Sequence, residues 1–106
     1  MEKNANAVIF ITSSHEEAPR IADALLQQKK AACVNIIANV SSRFWWQDKL
    51  DSDRESLLIV KTKASLIDEI VTLVKGIHSY DVPEIIALPI VGGNPDYLEW
   101  IGGEVK

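Results

Sequence analysis

Cysteine is nearly absent from this 106-residue chain: Cys33 stands alone, which excludes an intrachain disulfide and the stapled frameworks of small secreted domains. No apolar run approaches the length that crosses a bilayer. The opening stretch MEKNANAVIFITSS offers one lysine before a short apolar run and no small-residue cleavage signature, so no signal peptide is expected. Together these place the protein in the cytoplasm, without a membrane partner. Basic residues are also in deficit: 11 Lys and Arg stand against 15 Asp and Glu, a net charge of −4, which opposes the phosphate attraction that nucleic-acid binders rely on. There are two histidines, His15 and His78, and no repeated His or Cys spacing of the kind that marks a strong metal site. Repeats and low-complexity tracts are missing as well.

What is present is a 47% apolar fraction, ample for one compact core, so residues 1–106 read as a single domain. AVIFITS at 7–13 reads as a strand, leading to Ser13 and Ser14, which can cap a helix with Glu16 or Glu17 three positions on. In that helix Ala18, Ile21, Ala22 and Leu25 share one face, and Pro19 pulls its start closer to itself than the serines suggest. From Ala32 to Trp46 the alternation is strict: Val34, Ile36, Ala38, Val40, Ser42, Phe44 and Trp46 fall on one side, and Cys33, Asn35, Ile37, Asn39, Ser41, Arg43 and Trp45 on the other. A strand this long is expected to project past the domain or to bend at a bulge.

The polar stretch QDKLDSDRES is expected to be the tip of a long hairpin, with RESLLIVKTK as the return strand. Leu57 and Ile59 lie on one face of that strand and Leu58 and Val60 on the other, yet one helical layer covers one face. The remaining apolar face, with Trp45 and Trp46 near the tip, predicts contact with another subunit. Ser65 and Asp68 can open a second helix through Ile67, Ile70, Val71 and Val74, which Gly76 weakens or ends. Pro83 introduces the strand EIIALPIV, where Pro89 suggests a sheet edge or a bulge. Asn94 and Pro95 then cap a short last helix with Leu98, Ile101 and Trp100 inward. The order is α+β: a ferredoxin-like βαββαβ antiparallel sheet with an added C-terminal helix.

The chemistry concentrates in HSYDVPEIIALPI, residues 78–90. His78 with Tyr80, Asp81 and Glu84 can assemble a site, since imidazole and carboxylate both ligate divalent ions. The competing account is structural: His78 ends the second helix, Tyr80 packs with its hydroxyl satisfied, and Glu84 holds the loop by hydrogen bonds. Cys33, flanked by Ala32 and Val34, reads as a small packed residue, and His15, at a helix start, as a solvated one.

AACVNI at 31–36, WW at 45 and 46, the segment 55–62 ending IVKT, HSYDVPEI at 78–85 and YLEWI at 97–101 occur in one order over nearly the whole chain. In this the sequence resembles the CutA divalent-cation tolerance proteins. The resemblance implies a ferredoxin-like homotrimer, related in architecture to the PII signalling proteins, that binds copper, zinc or other divalent ions or a small ligand in a cleft between subunits. Carried onto this chain, it leaves His78 as the matching metal ligand, beside which the residues offer an oxygen from Glu84 or from the adjacent chain, with Tyr80, Asp81, Trp45 and Trp46 around the cleft. Some bacterial members described as binding copper carry a Cys before the first-strand Thr and a second His beside the first; here Ile11 and Ile77 occupy those positions. Asp48 stands where many members have Gly at the hairpin tip.

Three classes of function follow. A metal-responsive binding or regulatory trimer joins the resemblance to the His78 cluster. A small enzyme with His78 and Glu84 as acid and base is the alternative, though neither a nucleophile nor a phosphate loop accompanies them. An RNA-binding module would need aromatic and basic residues on the sheet that AVIFITS lacks.

Overall fold

The computed structural model describes residues 5–106. The chain runs β1 (Asn6–Ser13), α1 (Ala18–Gln27), β2 (Cys33–Trp46), β3 (Lys49–Lys63), α2 (Ile67–Ile77), β4 (Ile85–Pro89) and α3 (Pro95–Glu104), with a 3-10 turn at Ala64–Leu66 before α2. The sheet order is β2-β3-β1-β4 and every neighbouring pair is antiparallel. This is the ferredoxin-like arrangement expected from the element order. Pro89 lies on the edge strand β4, where its missing N–H leaves no gap in a ladder.

Local chemistry accounts for the element ends. Ser14 Oγ donates to Glu17 Oε1 at 2.9 Å and accepts the Glu17 N–H at 3.2 Å, which tightens the turn ahead of α1. The helix proper starts at Ala18, so Pro19 falls in its first turn, where a missing N–H costs nothing. Asn94 caps α3 by accepting the Asp96 N–H at 3.1 Å, with Pro95 at the first helical position. Gly76 sits inside α2, which runs one residue further, to Ile77.

The core lies between the sheet and α1 with α2. Ile9 and Ile11 of β1 and Leu58 and Val60 of β3 meet Ile21, Leu25, Ile70 and Val74, all essentially inaccessible to water. Helix α3 covers one end of the opposite face: the Asn6 side chain donates to Leu98 O at 3.0 Å, and Ile101 is fully buried. Trp100 stays partly exposed, tilted against Tyr97 with ring centroids 5.4 Å apart, rather than turning inward. Beyond α3 that face is open, and Ile86 and Leu88 are exposed on it.

The hairpin of β2 and β3 departs from the expected pattern twice. Between Ile37, paired with Leu57, and Val40, paired with Glu55, two residues of β2 oppose one of β3. This bulge, with Asn39 in the left-handed region at φ 62°, shifts the alternation by one. Phe44 and Trp46 therefore share a face with Ile37 and Asn35, not with Ile36. The second departure concerns the tip. The turn is Gln47 and Asp48 alone, at φ 50° and 64°, the two-residue left-handed turn whose twist matches the strands. KLDSDRES belongs to the ladder, Lys49 pairing Trp46 and Asp53 pairing Ser42. Polar residues are tolerated there because the hairpin projects and both of its faces meet solvent, giving the subunit a long axis of 44 Å.

Leu58→Ala removes a fully buried side chain between β1 and α1 and is expected to lower stability by about 2–5 kcal/mol. Urea unfolding at fixed protein concentration measures it; a change below 1 kcal/mol, on the order of an exposed site, contradicts the assigned core.

Candidate functional site

Segment 78–84 connects α2 to β4, and buried polar groups hold it in place. Glu17, itself buried, accepts the Ser79 N–H at 2.8 Å and the Ser79 hydroxyl at 2.7 Å, in addition to its bond from Ser14. Burial alone would raise the Glu17 pKa. The donors from Ser79 and Ser14, with the His78 imidazole nearby, outweigh it and hold the carboxyl below its usual range.

His78 ends α2, its N–H bonded to Val74 O at 2.9 Å. Its ring lies 2.8 Å through Nε2 from Thr12 O and accepts the Tyr80 N–H at Nδ1 over 3.1 Å. A carbonyl only accepts, so the proton is assigned to Nε2 and both ring nitrogens are in use. The ring also packs on Tyr80, centroids 4.5 Å apart. Tyr80 in turn donates its hydroxyl to Glu55 Oε2 at 2.9 Å. Burial, then the bond to Glu55 and the charges of Glu55, Asp53 and Glu17, push the phenol well above its usual pKa.

A cavity of about 660 Å³ opens between this loop and the base of the projecting hairpin. Tyr80, Asp81, Glu84, Trp45 and Trp46, all expected around a cleft, line it together; His78 is not among its walls. Glu84 is exposed and its side chain makes no hydrogen bond with a described residue, so Glu17 does the loop-holding expected of Glu84. Asp51, Asp53, Glu55, Arg43 and Phe44 also line the cavity. Asp51 and Asp53 belong to the polar stretch expected to form the tip, and the alternate acidic positions 51, 53 and 55 are the sequence signal for this wall.

Among the described residues no three His, Cys, Asp or Glu side chains are placed to hold one metal ion. The described residues of one chain therefore do not make a complete metal site. Ile11, where some copper-binding relatives are expected to carry Cys, is packed in the core, and Ile77 is exposed. Cys33 is half-buried opposite Lys61. His15 is not merely solvated: Nδ1 lies 2.8 Å from the hydroxyl of buried Ser56.

Residues 7–104 match the family described as CutA1 divalent ion tolerance protein. The chain is 50% identical over 100 residues to "Protein CutA 1, chloroplastic" of Oryza sativa, covering 93% of this chain and 56% of that protein. It is 45% identical over 95 residues to the "Divalent-cation tolerance protein CutA" of Thermus thermophilus, covering 89% and 92%. The chain thus spans little more than half the length of the plant relative. Among solved structures, CutA1 from Oryza sativa superposes with a TM-score of 0.93 at 45% identity over 96% of this chain and 94% of that one. The "Periplasmic divalent cation tolerance protein CutA" from Archaeoglobus fulgidus gives 0.91 at 44% identity, covering 95% and 99%.

The lowered Glu17 pKa has a consequence for acid stability. Because the folded value lies below the ordinary 4.5, the ionised carboxylate stabilises the fold above that pH, and the contribution drains away as pH falls through the folded value. Glu17→Gln is expected to be less stable than the parent at neutral pH, the gap narrowing below pH 4.5. Urea midpoints measured across that range decide it; a gap that stays constant with pH removes Glu17 as the titrating group.

Proposed function

This chain belongs to the CutA1 divalent ion tolerance protein family, and we propose that it is a binding and regulatory protein in the response to divalent cations, acting as a homotrimer and not as an enzyme. The observation that carries the assembly is the uncovered apolar surface. Helices α1 and α2 occupy one face of the sheet, while Ile86 and Leu88 remain exposed on the other. At the hairpin end Trp45 and Leu50, directly paired across the strands, are each 70% exposed. Side chains of this size gain about 1.5–3 kcal/mol each from full burial, so a partner surface is strongly favoured.

A second copy also completes what one chain lacks. Glu84 offers an unengaged carboxylate at the cavity, and His78 can offer Nδ1 by releasing the Tyr80 N–H. Copper and zinc accept both donor types, and the remaining donors come from a neighbouring subunit at the cleft. A catalytic role for His78 and Glu84 has less behind it, since neither a nucleophile nor a phosphate loop accompanies them in the sequence. The acidic walls disfavour nucleic acid. No helix among the described residues is long and apolar enough to cross a membrane. We assign the cytoplasm as the compartment, in keeping with the unpaired Cys33.

Native mass spectrometry at micromolar concentration is expected to give three subunits, and a monomer overturns the assembly. Replacing Trp45 and Leu50 together by Ala is expected to make that assembly dissociate on dilution. Calorimetry with copper and zinc is expected to show binding that weakens in both His78→Ala and Glu84→Ala. Heats unchanged in both variants return residues 78–84 to a purely structural role.

A further inference from the structure

Three identical chains around a threefold axis meet through heterologous contacts, so each chain must present two different surfaces that fit each other. The projecting hairpin carries two such surfaces. The register shift falls in β2 and leaves the alternation of β3 intact. Leu50, Ser52 and Arg54 therefore take the side of β3 to which Leu58 and Val60 point, beyond the helices, and Lys49, Asp51 and Asp53 take the side of Leu57 and Ile59. Pairing across the strands adds Trp45 and Arg43 to the first side, and Trp46, Phe44 and Ser42 to the second.

The two sides differ in sign. Arg43 and Arg54, both exposed, share the first with Trp45 and Leu50, and no carboxylate stands among the paired positions of that side from Leu50 to Arg54. Asp51 and Asp53 share the second with Phe44 and Trp46, the cation there being Lys49 beside the turn. Because β2 is an edge strand, Arg43 and Trp45 also reach the cavity that Asp51 and Asp53 line. Even so, neither arginine and neither aspartate forms an ion pair with a described residue.

The spacings match as well. Arg43 and Arg54 are diagonal neighbours across the strands, about 7–8 Å apart, and Asp51 and Asp53 are next but one along β3, about 7 Å apart. Two guanidinium–carboxylate pairs can therefore form at once between one hairpin and another. Stacking like side on like side would set Arg against Arg or Asp against Asp. Stacking unlike sides joins opposite charges and covers exposed Trp45 and Leu50 with Phe44 and Trp46, themselves more than a third exposed. Resting on the homotrimeric reading, we propose that each hairpin side is occupied by the hairpin of a second copy. The Arg43 and Arg54 side of one copy packs on the Asp51 and Asp53 side of the next, and three such contacts close the ring.

Sedimentation of the full chain over a dilution series, at low and at high salt, reads the contact. Arg43→Glu/Arg54→Glu and Asp51→Lys/Asp53→Lys are each expected to weaken subunit association about a hundredfold or more, since like charges then face each other. The fourfold variant that carries both exchanges restores opposite charges at every contact and is expected to recover about tenfold or more of that loss. Added salt is expected to weaken association of the parent, and the milder Arg43→Gln/Arg54→Gln to lose most of that salt dependence. A monomeric parent overturns the trimer and this contact with it. A trimeric parent overturns the contact alone, and leaves the trimer standing, if either charge reversal associates like the parent, if the fourfold variant dissociates like the reversals, or if the Gln variant keeps the full salt dependence.

Discussion

Strand β3 is shared by everything else in the subunit. Its C-terminal half lies between β1 and β2 and supplies Leu58 and Val60 to the core, while its N-terminal half leaves the core and forms one side of the projecting hairpin. Because side chains alternate strictly along a strand, burying Leu58 and Val60 also decides which face Asp51, Asp53 and Glu55 take many residues away. A slip of one residue would expose the core and turn the acidic row over in the same step. The bulge at Ala38 and Asn39 then resets β2 alone, so that the aromatic residues of one strand meet the carboxylates of the other.

The second constraint is polar satisfaction. A loop packed against the ends of β1 and α1 carries backbone groups that water does not reach freely, and each needs a partner. Glu17 takes two donors from Ser79 and one from Ser14, and His78 bridges Thr12 O and the Tyr80 N–H. Residues 78–84 are thereby divided. His78 is buried, and it and the exposed Ser79 hold the loop through Thr12 and Glu17, whereas Tyr80, Asp81 and Glu84 line the cavity.

Exposed apolar area links the two. Helices α1 and α2 cover one sheet face, α3 covers one end of the other, and the hairpin extends beyond them. Trp45 with Leu50 on one side, and Phe44 and Trp46 beside the acidic row, give its two sides different characters.

Periodicity and punctuation made most of the fold legible in the sequence. The stripe Ala18, Ile21, Ala22 and Leu25, the Asn94-Pro95 cap and the alternation around Leu58 depend on neighbours a few residues away, and local sterics and capping chemistry determine them directly. The grouping of Tyr80, Asp81 and Glu84 with Trp45 and Trp46 came from the family resemblance and not from local pattern; in the folded chain all five line one cavity. Three things were decided only in the folded chain. The phase reversal at Asn39 arises from cross-strand register, which a strand does not carry alone. The two-residue turn at Gln47 and Asp48 put DSDRE into the ladder, because pairing with residues 40–44 outweighs its polar composition. The engagement of both His78 nitrogens depends on Thr12, 66 residues away in sequence, brought close by the sheet. Contacts across such separations are set by tertiary packing, and the donors and acceptors they join carry no local mark of it.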